Sequence, residues 1–347
     1  MAYTTINKST DNFNTVLYTG NDSTQAITGV GFQPDLWWNK SRSGTHSAGV
    51  HCLYDSVRGV TKRIKSNSTD AESTISGVTA FDSDGVTLGS ENQSNGGSTN
   101  YVAWNWKAGN SSGITTNGST TITPTAYSFN ATAGFSIIKY TGNGTTGAKY
   151  PHGLGVAPKM VIVKNLGTTD YWNVHHASLG NNSELYLNAS DAAPGSTGNG
   201  TTPDSVNIEL EGTGNAHNGS GNNYIAYCFA EKTGYSKFGS YTGNGNADGT
   251  FVYTGFKPSF LIIKCSSHSD HWLLADGKRP GFNDVYDLYP NLTNAEYTGT
   301  AYLTDILSNG FKLRSTDSIS NGSSKTYIYM AFGQSLVGSN NVPATAR

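Results

Sequence analysis

Tyr18-Thr19-Gly20-Asn21 returns as Tyr140-Thr141-Gly142-Asn143 and again as Tyr241-Thr242-Gly243-Asn244, and this triple occurrence decides how the remaining residues are read. A proline follows each copy, at Pro34, Pro158 and Pro258, and a lysine stands six residues beyond each proline, at Lys40, Lys164 and Lys264. Between proline and lysine run the apolar tetrads Leu36-Trp37-Trp38-Asn39, Met160-Val161-Ile162-Val163 and Phe260-Leu261-Ile262-Ile263. A nearly continuous apolar run opened by proline predicts a strand buried on both faces.

Each unit closes on a second shared strand, Asn95 to Trp106, Asn218 to Phe229 and Asn321 to Phe332, in which an Asn-Gly turn precedes a tyrosine by six residues. From the opening tyrosine to this closing one the separations are 83, 84 and 86 residues. Alternation with period two puts Val102, Trp104 and Trp106 on one face, matched by Ile225, Tyr227 and Phe229 and by Ile328, Met330 and Phe332, and predicts that face as core. The other face, with Tyr101, Ala103 and Asn105 in the first copy, suits either another layer or solvent. Two echoes link only the first and third units: Asp84-Gly85 before an alternating strand with Asn309-Gly310, and Asp55 to Arg58 with Asp276 to Arg279, the latter read as an Asp–Arg contact bracing a turn.

The fold class that follows is all-β, with three tandem β-sandwich or jelly-roll-like repeats. The expected divisions are an N-terminal arm (1–15), repeat one (16–107), a linker with some strand (108–135), repeat two (136–233), repeat three (237–333) and a C-terminal tail (334–347). Units this small bury little surface alone, so they are expected to pack on one another as a three-lobed molecule. Three units in one chain would also mimic a trimer.

Composition agrees. Gly (42) and Tyr (20) are abundant beside Thr, Ser and Asn, only 13% of residues are charged, and 35% are hydrophobic, enough for packed cores. A net charge of −2 without a basic stripe argues against nucleic acid; the densest basic run, Lys62-Arg63-Ile64-Lys65, is short. Cys52, Cys228 and Cys265 are odd in number and far apart, which predicts inert thiols rather than a disulfide framework. The N-terminus has no basic start and apolar core of a secretory signal, and no window approaches a membrane span. Synthesis in a cytoplasm and no membrane insertion are therefore expected. Asn-x-Ser/Thr triplets such as Asn21, Asn143 and Asn291 arise by chance in so Asn-rich a chain.

The opening Tyr-Thr-Gly-Asn, Gly31-Phe32-Gln33-Pro34-Asp35, Tyr54 to Gly59, Phe81 to Gly85 and Tyr101 to Lys107 together resemble a repeat of virion proteins of marine tailed bacteriophages, such as cyanophages and pelagiphages. Gly134 to Tyr140 running into His152 to Pro158 shares the likeness. The resemblance covers nearly the whole chain and implies a non-enzymatic structural protein of the virion, a tail fibre, tail spike or capsid decoration. Its implied partners are other tail or capsid subunits and a host-surface glycan, with homotrimer formation by analogy; it carries no catalytic residues to transfer. The third unit departs from it, with Met330-Ala331-Phe332 in place of Trp-x-Trp.

The alternatives are a carbohydrate-binding module and a polysaccharide-depolymerising tailspike. Sugar recognition favours exposed aromatics beside polar groups, and Trp172 and Trp272, which hold the place of His51 in the first unit, are the candidate ligand-contact residues. Trp37, Trp38, Trp104 and Trp106 sit where the other units are apolar and are assigned to the core. His175-His176 and His268 with His271 lack a third ligand at a diagnostic spacing, and Asp82-Ser83-Asp84-Gly85 reads as a hairpin turn rather than a calcium loop. No nucleophile motif or phosphate-cradling loop appears. No catalytic, cofactor or metal residue is assigned. The segments between core and closing strands, roughly 41–94, 165–217 and 265–320, differ most between units and are where partner recognition is expected.

Overall fold

The computed structural model describes residues 4–43, 49–195, 200–279, 286–299 and 304–335. The chain is all-β: its strands form antiparallel sheets, and Asn92–Asn95 is the one α-helical turn among the described residues.

One strand order recurs in three places. An opening strand (Phe13–Thr19, Phe135–Thr141, Ser236–Thr242) pairs with the closing strand (Asn100–Trp106, Asn223–Phe229, Thr326–Gln334). The closing strand pairs with the core strand (Leu36–Ser43, Met160–Asn165, Lys257–Cys265), and that one with a fourth (His51–Asp55, Trp172–His176, Trp272–Asp276). In the first sheet Lys62–Lys65 and Ser73–Thr74 extend the far edge. In the second, Ala126–Asn130 adds before the opening strand and Leu185–Tyr186 after the fourth.

A three-stranded sheet accompanies each: Gln25–Ile27, Gly85–Leu88 and Val78–Asp82; Ala148–Pro151, Asn207–Leu210 and Thr201–Pro203; Phe251–Tyr253, Gly310–Leu313 and Thr304–Leu307. The middle copy has no visible counterpart to the Asp-Gly and Asn-Gly echoes of the sequence. Its hairpin turns instead at Asp204, whose carboxylate accepts from the backbone N–H groups of Val206 and Asn207 at 2.6 and 2.7 Å.

The apolar tetrads divide between two cores because successive side chains on a strand point to opposite faces. Trp37, Cys52, Tyr54 and Ala103 pack under the first small sheet with Val86 and Leu88. Val161, Val163 and Cys228 do the same beneath Ile208 and Leu210, and Leu261, Ile263 and Ala331 beneath Phe311 and Leu313. The other faces of all three large sheets, with Trp38, Trp104, Ile162, Tyr227, Ile262 and Met330 among them, meet in one shared core. The face of the closing strand that suited either solvent or a layer is thus covered by the small sheet.

At the end of the closing strands Trp106, Phe229 and Phe332 form a near-equilateral triangle, with ring centroids 6.1, 5.8 and 6.1 Å apart. The first and last described stretches meet: Ser9 N–H donates to Gln334 Oε1 at 2.7 Å, and Gln334 Nε2 to the Asn7 carbonyl at 3.3 Å.

Candidate functional site

The residues common to the three copies tie off one turn. Tyr18 stacks on Tyr101, Tyr140 on Tyr224 and Tyr241 on Tyr327, with centroids 4.9, 5.1 and 5.0 Å apart. The opening tyrosine donates its hydroxyl to the carbonyl of Ser94, His217 or Ser320. The closing tyrosine accepts from the N–H of Gly96, Gly219 or Gly322. Asn95, Asn218 and Asn321 are fully buried. Each accepts from the backbone of the motif asparagine and donates to loop carbonyls. Glycine is required in the motif because a Cβ at Gly20, Gly142 or Gly243 would stand 2.2, 2.6 or 2.4 Å from the facing glycine carbonyl.

A second shared set joins each sheet to a neighbour in cyclic order. The buried amine of Lys40 donates to Asn294 O in the third stretch at 2.9 Å, that of Lys164 to Thr69 O in the first at 3.0 Å, and that of Lys264 to Ser190 O in the second at 3.2 Å. Burial lowers the amine pKa values, to about 7 for Lys40 and about 8 for Lys164 and Lys264. One layer deeper Trp104 Nε1 donates to Asp276 at 2.9 Å, Tyr227 hydroxyl to Asp55 at 2.7 Å, and His176 Nε2 to the Tyr329 carbonyl at 3.1 Å. Asp55 and Asp276 also hold the fully buried Arg58 and Arg279, so the Asp–Arg contacts brace inter-sheet junctions as well as turns. Glu296 pairs with both Arg279 and Arg42, linking the third stretch to the first.

Trp172 and Trp272 belong to this cyclic set, which corrects the expectation of exposed aromatics: they are 0% and 1% exposed. Their indole N–H groups donate to the carbonyls of Lys65 and Tyr186 across the junctions, both at 2.9 Å. His51 holds the same register place, accepts from Trp38 Nε1 at 3.0 Å, and burial pushes its pKa well below the ordinary value. Alternation alone could not separate these side chains from solvent, because what covers them comes from distant chain.

His175 and His176 are buried, and burial lowers both pKa values to about 4. Asp84 accepts from the N–H groups of Gly29 and Gly31. All three cysteines are free and buried. No cluster of three or more His, Cys, Asp or Glu among the described residues is placed for a metal, and no helix is long and apolar enough to cross a membrane. Asp287, which sequence reading passed over, is 1% exposed, and neither carboxylate oxygen is hydrogen-bonded by any described residue. Burial raises its pKa to about 8, against the pull of Arg279.

A groove of about 530 Å³ lies where the stretch between first and second sheets leaves the first. Asp35, Tyr127 and Ser128 are among its lining residues. Asp35 Oδ1 accepts from the hydroxyls of Ser56 and Ser128 at 2.6 and 3.1 Å, and Oδ2 from Ala108 N–H at 2.8 Å. Gln33, Lys107 and Ser111 also line it. The backbone frame recurs, with Ser56 N–H on Asp35 O, Ala177 on Lys159 and Gly277 on Ser259, but the carboxylate and hydroxyl occur at the first place alone. Tyr127 neighbours Ser128 on its strand and so points to the opposite face, packed with Ile114 against the second small-sheet core, and the groove offers mainly polar groups.

No curated protein and no solved structure matches the chain. A family described as a domain of unknown function, DUF7483, matches residues 8–335, nearly the whole of it, and the chain belongs to that family.

Proposed function

We propose that this chain is a non-enzymatic structural protein of a bacteriophage virion, carried as an exposed tail appendage or capsid decoration and held there by other tail or capsid subunits. The resemblance of its repeated motifs to virion repeats is the source of this reading. The observation that carries it is the cyclic closure: buried lysines, Trp172, Trp272 and the Asp55 and Asp276 junctions lock one sheet to the next around a solid aromatic core. In this reading the chain is one unit used three times, a single-chain counterpart of a trimer. Its shared residues serve the scaffold, and its differing loops face the partner or the host surface.

A particle component must co-purify with particles. Mass spectrometry and immunogold electron microscopy of gradient-purified virions are expected to find the protein at a fixed copy number and a defined location. Its presence only in the soluble lysate fraction would refute the reading.

A further inference from the structure

Asn-Gly occurs eight times in the chain, and at seven places both residues are described; the eighth, Asn199-Gly200, begins outside the described residues. The dipeptide carries a latent reaction, because glycine has no side chain to keep its own backbone nitrogen from the preceding side-chain amide. Whether that reaction runs depends on what holds the attacking nitrogen, the leaving nitrogen and the carbonyl oxygen between them.

At six of the seven places the attacking nitrogen is occupied. Gly96, Gly219 and Gly322 donate their N–H groups to the hydroxyls of Tyr101, Tyr224 and Tyr327. The leaving nitrogens are held there as well, since the buried Asn95, Asn218 and Asn321 each donate Nδ2 to two or more loop acceptors. Gly144 and Gly245 donate to the carbonyls of Asn218 and Asn321 at 3.1 and 2.8 Å, and Gly310 lies in the hairpin ladder opposite Leu307.

Asn117-Gly118 is the exception. Neither Gly118 N–H nor Asn117 Nδ2 has a hydrogen-bond partner among the described residues, both residues are exposed, and no atom outside the immediate chain lies within 4 Å of where a Gly118 Cβ would stand. Asn117 Oδ1, by contrast, accepts three hydrogen bonds: from Ser119 N–H at 3.1 Å, from the Ser119 hydroxyl at 2.8 Å and from Asn207 Nδ2 at 3.0 Å. Donors already aimed at a carbonyl oxygen stabilise the negative charge that gathers there when a nucleophile adds to its carbon. The third donor is itself fixed, because Asn207 is 0% exposed and its Oδ1 accepts from the Thr120 hydroxyl at 2.8 Å.

We infer that Asn117 is a site of self-modification. The Gly118 nitrogen bonds to Asn117 Cγ and closes a succinimide, the Cγ–Nδ2 bond breaks, and the proton from Gly118 leaves with Nδ2 as ammonia. Water then opens the imide at either carbonyl, giving aspartate or isoaspartate with no change of oxidation state. The new carboxylate stands at the turn before Thr121 and Ile122, whose N–H groups hold the edge of the second small sheet at Lys149 O, both at 2.9 Å. The isoaspartyl form also adds a methylene to the main chain at that turn. The inference is independent of the virion reading, since it is read on purified protein and localisation on particles.

The test is peptide mapping of the full chain by electron-transfer mass spectrometry, which separates asparagine, aspartate and isoaspartate, after incubation at mildly alkaline pH. Conversion at Asn117 is expected to run about tenfold or more faster than at the exposed Asn143, Asn244 and Asn309. In guanidinium chloride the four rates are expected to converge, because the advantage lies in folded contacts. Ser119→Ala, at an exposed position, removes the hydroxyl donor and is expected to slow Asn117 severalfold while leaving Asn143 unchanged. A folded-state rate at Asn117 no higher than at the other three, an equal lead in denaturant, or no slowing by Ser119→Ala would overturn the site.

Discussion

Asn321 shows how much one side chain can carry. Buried beneath its turn, it donates to Asn244 Oδ1, Asn246 O and Ser315 O at 2.9, 2.9 and 2.7 Å while accepting from Asn244 N–H at 3.1 Å. Asn321→Ala leaves buried backbone groups unpaired and is expected to cost about 2–3 kcal/mol in denaturant unfolding, whereas Asn244→Asp, at the exposed tip, should cost far less. Asp287 acts in the opposite sense. Its folded pKa, raised to about 8, lies above that of the unfolded chain. Stability from this group is full at low pH and is lost as pH rises from about 4 to about 8. Asp287→Asn is therefore expected to stabilise the protein relative to wild type at pH 8.5, by on the order of 2 kcal/mol, and to change little at pH 4. Equal differences at the two pH values in thermal melts would contradict this. The recurrence of Asn-Gly marked Asn321 in the sequence; Asp287 carried no repeat and no motif, and only the packing of distant segments makes it exceptional.

Among the elements the closing strand is the most informative, because both its faces are interior. Its alternation was legible from the residues, as were the doubly buried core strand and the hairpin at Asp84-Gly85. The hairpin of the second stretch was not, since Asp204 makes its turn without a glycine signal. Nor was the burial of Trp172 and Trp272, because their covering carbonyls, at Lys65 and Tyr186, lie far away in sequence. The groove was equally hidden: its residues come from four separated segments, two of them reaching into the stretch expected as a linker. The strand end at Trp106 allows a direct test of the shared core. Trp106→Ala removes one corner of the aromatic triangle and is expected to cost about 3–5 kcal/mol, near the cost of Phe229→Ala or Phe332→Ala, because all three fill one space. A loss under about 1 kcal/mol for any of them in equilibrium unfolding would mean that the corner is not shared.

At the scale of the whole molecule the sheets hold one another through buried polar contacts that also respond to pH. His152, His175, His176 and His217 have folded pKa values lowered by burial to about 4. Their contribution is present above the unfolded value near 6.5 and is lost as pH falls toward 4, so acid is expected to weaken the entire assembly. The lysines act in the same direction in a higher window, since burial penalises the charged amine and stability rises as pH goes from about 7 toward 10.5. The first and third stretches are joined by no direct chain connection, yet they meet through Lys40, Trp104–Asp276 and the Arg42–Glu296 ion pair, whose closest contact is 3.0 Å. With one core shared by three sheets, no sheet can melt without exposing the inner face of the other two. Differential scanning calorimetry of the full chain at pH 7 tests this most directly. The account predicts one transition whose calorimetric and van't Hoff enthalpies agree; two or more separable transitions, with one third of the chain melting alone, would contradict it.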